Sequence, residues 1–133
     1  MTEKVFADTN VVIYAESRHP KNSPAAVSIL EASPVISTQV VNETVSVLTR
    51  KYGFALADAN QVALSLLDLC NVVPVDVQTV REAIRVGERY RLSIWDSLIV
   101  AAALLSDCET LYSEDLQDGQ VFDERLTIVN PFK

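Results

Sequence analysis

The stretch K-V-F-A-D-T-N-V-V-I-Y, residues 4–14, places an aspartate where a buried strand would still be running. Val5, Phe6 and Ala7 form a short apolar run suited to the inside of a sheet. Asp8 interrupts it, and Val11, Val12 and Ile13 restore apolar character after only Thr9 and Asn10. Asp8 has two readings: a cap for a following helix, or a ligand-holding carboxylate aimed by the end of a strand.

Similar runs recur along the chain. Val35–Ile36, Val72–Val75, T-L-Y-S (110–113) and R-L-T-I-V (125–129) read as further strands. Helical patterns separate them: Ala25–Glu31, Thr38–Lys51, Leu56–Leu69, a segment from Asp76 or Gln78 to Arg91, and Ile94–Leu105 behind Ser93. Strands that alternate with helices of this length need crossover connections. The expectation is an α/β fold, a three-layer α/β/α arrangement with a mainly parallel central sheet. At 133 residues it should form one domain, residues 1–133, able to fold without disulfide or metal.

Composition narrows the function. A hydrophobic fraction of 49% with three glycines fits an ordered globule. The longest apolar run, L-I-V-A-A-A-L-L (98–105), falls short of the roughly 18 residues of a membrane span. With no cationic leader visible, a cytoplasmic protein without a membrane partner is expected. Cys70 and Cys108 lie in no metal-ligand spacing and read as reduced, buried thiols; His19 reads as a loop residue. The net charge of −7 argues against a broad phosphate-binding surface and favours metal ions or a basic partner.

In a parallel sheet, strand C-termini and helix N-termini meet at one edge, where ligands bind. Asp8 and Asp115 follow strand ends, Asp96 lies in the first turn of its helix, and Glu43 lies in the second turn of another. Helical phase puts Glu43 between Val40 and Val47 on one flank and Ser46 and Arg50 on the other. Asp96 shares its face with Ile99, Val100 and Ala103 in a helix apolar nearly all round, which predicts its burial. Each acid alone has an ordinary explanation, and S-I-W-D (93–96) matches a capping box. Four caps converging on one edge is the less economical account. Crowded carboxylates need a cation, and an all-oxygen set selects Mg²⁺ or Mn²⁺ over zinc. The chemistry suggested is metal-assisted hydrolysis of a phosphate ester.

The segments V-F-A-D-T-N-V-V-I-Y-A, I-S-T-Q-V-V-N-E-T-V-S-V-L, S-I-W-D-S-L-I-V-A-A-A-L and L-Y-S-E-D-L-Q-D-G resemble, in this order, the acidic motifs of PIN-domain nucleases, above all the small VapC-type toxins of toxin–antitoxin modules. The resemblance runs down to I-V-N-P-F at 128–132. It implies a Mg²⁺- or Mn²⁺-dependent endoribonuclease. Asp8, Glu43, Asp96 and Asp115 match the four acids in turn, Thr9 and Asn10 the small polar positions after the first, and Ser113 the hydroxyl before the fourth. Asp118 ranks second to Asp115 for that last place. Asp8, Asp96 and Asp115 would hold metal, and Glu43 would position or deprotonate the attacking water, leaving a 5′-phosphate and a 3′-hydroxyl. The resemblance also implies RNA as substrate, a cognate antitoxin and a homodimer.

RNA or a partner needs contacts. Arg81, Arg85 and Arg89 stack on one helix face, and Arg50 ends another helix. The alternative is a solvated face in which Glu82 and Glu88 pair with Arg85. Tyr14, Tyr52, Phe54 and Trp95 are candidate interface aromatics, although core packing is the expected place for most of them. Competing functions are a non-catalytic PIN-like binding or scaffold module, and a metal-dependent phosphomonoesterase. The latter usually carries a second aspartate two residues after the first, where this chain has Asn10.

Overall fold

A computed structural model describes residues 3–133. The elements run β1 (Val5–Ala7), α1 (Thr9–Glu16), α2 (Ser23–Glu31), β2 (Val35–Ser37), α3 (Thr38–Arg50), α4 (Leu56–Leu69), β3 (Asn71–Val73), α5 (Val77–Tyr90), α6 (Ile94–Leu105), β4 (Thr110–Tyr112), β5 (Val121–Phe122) and β6 (Leu126–Val129). The six strands form one sheet in the order β3-β2-β1-β4-β6-β5, parallel throughout except for β5.

That order dictates the layers. From β1 the chain steps outward through β2 to β3, carrying α1–α4, and then crosses back to β4 on the other side of β1, carrying α5 and α6. Right-handed crossovers in opposite directions put the two helix groups on opposite faces. Accordingly α1 packs on α2 and α3, α3 on α4, and α5 on α6. The result is the expected three-layer α/β/α fold. Phe6, Ile36, Leu111, Leu126 and Ile128 are fully buried in the middle layer, as strands covered on both faces must be.

Most boundaries fall within a residue or two of the pattern, and the departures have causes. The third strand stops at Val73, short of the expected Val75, because Pro74 has no N–H for the ladder. Val75 N–H instead donates to Thr38 Oγ1 at 3.1 Å. The β-branched run Val11–Ile13 is helical: Asp8 caps α1 and burial of all three side chains outweighs their strand preference. Two-residue β5 carries no periodic signal. It exists through the hairpin to β6, where Asp123 and Glu124 both take positive φ (51° and 60°) and Arg125 N–H donates to Phe122 O at 3.1 Å, a mirror-image turn.

The apolar helix α6 is buried continuously from Ser97 to Leu104 between sheet and α5. Gly87 permits the close approach of α5, since a Cβ there would lie 2.8 Å from Ser97 Oγ. Cys70 and Cys108 are free thiols, half-buried and buried respectively. His19 is in a loop, where its Nδ1 accepts from Lys21 N and Asn22 N at 3.2 and 3.0 Å.

Candidate active site

The sheet's direction of travel reverses between β1 and β4, the place where open α/β sheets leave a crevice at the strand C-termini. Register aligns Ala7 with Tyr112, so the residues that follow, Asp8 and Ser113, stand side by side. Asp8 N–H extends the ladder to Tyr112 O at 3.0 Å.

Asp8 caps α1, the first of its two readings. One carboxylate oxygen accepts Thr9 N–H at 2.7 Å as the cap of α1, and the other accepts Ser113 O–H at 2.9 Å. Burial nevertheless dominates and lifts its carboxyl from the ordinary 3.8 to about 6, with the charges of Asp115 and Glu43 adding to the rise. Ser113 Oγ also accepts from Asp115 N–H at 3.2 Å and Leu116 N–H at 3.3 Å. One hydroxyl thus ties the first acid to the turn that carries the fourth.

The other acids arrive from the helices. Glu43 on α3 accepts Thr9 O–H at 2.9 Å. Asn10 on α1 donates its amide to Glu114 at 3.0 Å and to Asp115 at 3.4 Å. Tyr14 donates to Glu114 too, so Glu114 is engaged in holding the turn. Asp115 is exposed, yet its carboxyl is raised, first by partial desolvation and then by the charges of Glu114 and Asp96. Ser93 caps α6 by accepting Asp96 N–H at 3.2 Å. Among the described residues the Asp96 carboxylate makes no return bond to the cap. The box is half made, and the acid is free for other work. Nor is Asp96 buried as expected. The start of α6 rises out of the core, leaving Asp96 half-buried, and Asp8 is the deeply buried acid.

Asp8, Thr9, Asn10, Glu43, Asp96 and Asp115 line a single cleft of about 210 Å³. Asp118 does not reach it. One of its oxygens accepts Asn130 N–H at 2.8 Å and the other pairs with Lys133 at 3.0 Å, which holds its carboxyl below the usual range. The expected arginine face also stands apart from the cleft. Arg85 is locked between Glu82 and Asp123, and Arg89 lies 5.3 Å from the ring of Tyr90. Arg81, on the same helix, is exposed and also absent from the cleft lining. Arg50 does line the cleft. So do Ser46, Val47 and Ile99, together with Gln39, one helical turn before Glu43 and therefore predictable from phase, and Trp95, which is 65% exposed rather than packed in the core.

No ion pair among the described residues involves Asp8, Glu43, Asp96 or Asp115. Their charges therefore face one another uncompensated. The donors are all oxygen, which fits a hard divalent cation. Among the described residues no group of three or more His, Cys, Asp or Glu side chains is disposed to hold a metal ion as the side chains stand. A larger hollow of about 720 Å³ at the opposite sheet edge, near Lys4, Pro34 and Asn71, gathers no such cluster.

Fold and acids together define a class, a sheet-edge carboxylate site on a parallel α/β scaffold. The PIN domain model matches residues 5–119, and the chain belongs to that family. Among curated proteins none matches its sequence. Solved structures share the fold at low identity. A toxin–antitoxin complex from Klebsiella pneumoniae superposes with TM-score 0.73 at 22% identity, over 98% of this chain and 99% of that one. The sarcin–ricin-loop-cleaving toxin VapC20 of Mycobacterium tuberculosis gives 0.69 at 20%, over 83% and 88%. A DNA-bound VapBC complex from Salmonella typhimurium gives 0.69 at 16%, over 96% and 98%. No helix among the described residues is long and apolar enough to cross a membrane.

Proposed function

We propose that this chain is a metal-dependent endoribonuclease, hydrolysing RNA phosphodiester bonds as the toxin of a VapBC-type module. The observation that carries the reading is Asp8: a buried carboxylate, raised to about 6, placed at the switch point beside three more acids, none of the four in an ion pair among the described residues. Similarity to solved toxin structures adds support from the fold.

Asp8 and Asp96 would hold Mg²⁺ or Mn²⁺, with Asp115 binding directly or through water. When bound, the ion supplies Lewis-acid polarisation of the phosphate and a water of lowered pKa. Glu43, which accepts the Thr9 hydroxyl, would orient the attacking water and take its proton. Asn10 and Ser113 hold the Asp115 turn against β1. Attack by water breaks the P–O3′ bond, leaving a 5′-phosphate and a 3′-hydroxyl, without the ribose 2′-hydroxyl as nucleophile. The acidic cleft equally suits an inhibitory antitoxin that presents a basic side chain. A homodimer and a cytoplasmic location complete the proposal.

The test is cleavage of an end-labelled structured RNA in Mg²⁺, Mn²⁺ and EDTA, beside Asp96→Asn prepared identically. Metal-dependent cutting by the wild type alone is expected. Folded protein that never cuts would favour the scaffold alternative, and cutting by both proteins would mean a contaminant.

A further inference from the structure

Trp95 is the only tryptophan of the chain, yet it is 65% exposed. An indole carries more apolar area than almost any other side chain, so leaving it in water forgoes a large burial term. Its backbone is fixed. Trp95 sits in the first turn of α6 behind the Ser93 cap, and its carbonyl accepts from Gln39 Nε2 at 3.2 Å. A rigidly mounted aromatic in solvent is a platform.

Its position says for what. Trp95 lines the acid cleft and also a neighbouring hollow of about 380 Å³, the two sharing Gln39 and Glu43 in their walls. On that shared wall Gln39 Oε1 is a buried acceptor with no donor among the described residues, a bond that a ligand's N–H would complete. At the other end of α3, Arg50 is the one basic residue among those lining the acid cleft, and among the described residues it forms no ion pair. Gln39 and Arg50 are separated by about 16 Å of helix, with the acids between. With a net charge of −7, the protein has little phosphate attraction to spend on holding a polyanion. Stacking on an aromatic face is the uncharged source of affinity, and it tolerates any base.

We infer that Trp95 is a base-stacking platform that seats a nucleobase flanking the scissile phosphate of single-stranded RNA. The inference rests on the nuclease reading of the adjacent acids. In it Trp95 is a positioning residue, since it touches substrate without entering the chemistry.

The experiment uses Trp95's own fluorescence. A short mixed-sequence single-stranded RNA is titrated into Asp8→Asn protein, which holds substrate without cutting it, and a panel with one abasic nucleotide at a time follows. Quenching of the indole is expected, with one abasic position weakening binding about 10–100-fold. By anisotropy of a dye-labelled RNA, the readout for variants that lack the indole, Trp95→Ala should weaken binding by the same factor and become indifferent to that abasic position, while Trp95→Phe recovers most of the affinity. In cleavage assays on the otherwise wild-type protein, Trp95→Ala should raise KM with kcat little changed. Unchanged indole emission on saturation with RNA, or Trp95→Ala binding as tightly as its parent, would overturn the inference while leaving RNA cleavage intact. An indole that responds to protein concentration and not to RNA would overturn it in favour of an interface between copies of the chain. Failure of the wild type to cut or bind any RNA would overturn both this inference and the nuclease reading beneath it.

Discussion

Replacing Asp8 by Asn should make the metal-free protein more stable at neutral pH while abolishing RNA cleavage. The Asp8 carboxyl lies at about 6 in the folded protein against 3.8 ordinarily, chiefly through burial. A group whose folded value is raised favours folding while protonated. Its contribution is complete below about pH 3.8 and is lost as pH climbs through about 6. Above that, ionised Asp8 costs about 3 kcal/mol relative to its neutral form. Asn retains an acceptor for Thr9 N–H but gives up the second anionic oxygen that receives Ser113 O–H, a loss of about 1 kcal/mol. The net expectation is a gain of ~2 kcal/mol, or roughly 5–10 °C in Tm for a chain of this length. Urea unfolding in EDTA across about pH 5–8 reads it: wild-type stability should fall relative to the Asn variant as pH rises. Adding Mg²⁺ should then restore the wild type and leave the variant nearly unmoved. Parallel pH profiles, or an Asn variant less stable at the alkaline end, would refute the reasoning. Asp8 would then be a helix cap whose charge the fold tolerates.

Other expectations follow from the same geometry. Glu43→Gln should lower kcat by about 10²–10⁴-fold, with metal affinity measured by calorimetry changed far less. Asp115→Asn should impair cleavage and Asp118→Asn should not, because Asp118 is spent on Asn130 and Lys133; single-turnover rates separate the two. Arg50→Ala should weaken RNA binding and flatten its log–log salt dependence by about one unit. Arg85→Ala should leave that slope alone and show at most about 1 kcal/mol in denaturant unfolding, as its pairs are surface ones.

The parts of this protein legible in its sequence are those in which local pattern and tertiary demand agree. The helices α3 and α5 have strong amphipathic periodicity and capping residues, Ser37 and Asp76, and their bounds follow from the residues to within a residue or two. The edge shared by Asp8, Glu43, Asp96 and Asp115 follows from topology, since a parallel sheet leaves acids at strand ends and helix starts no other place to meet. What pattern could not decide was set by partners distant in sequence. Arg85 reads either as an RNA or partner contact or as paired with Glu82 and Glu88; Glu82 does pair with it, and so does Asp123, on a hairpin with no periodic signal. Asp115 ranks ahead of Asp118 by resemblance, and the return of the chain at Asn130 and Lys133 engages Asp118 away from the cleft. Asp96 and Trp95 mislead for a common reason: α6 is apolar along its length, but its first turn projects beyond the sheet that buries the rest.

The place of β1 in the sheet also sets when the site comes into being. β1 leaves the ribosome well before one of its two neighbours, β4, which is made from residues 110–112, more than a hundred positions later. Until β4 docks, Asp8 lacks the Ser113 hydroxyl, Asp115 is not yet tethered, and one edge of β1 stands open. Because chains fold from the N-terminus as they are synthesised, the α1–α4 half can assemble well before the cleft is whole. On the proposed reading, the acids that would hold metal are gathered in the nascent chain only after β4 and the turn behind it have been made.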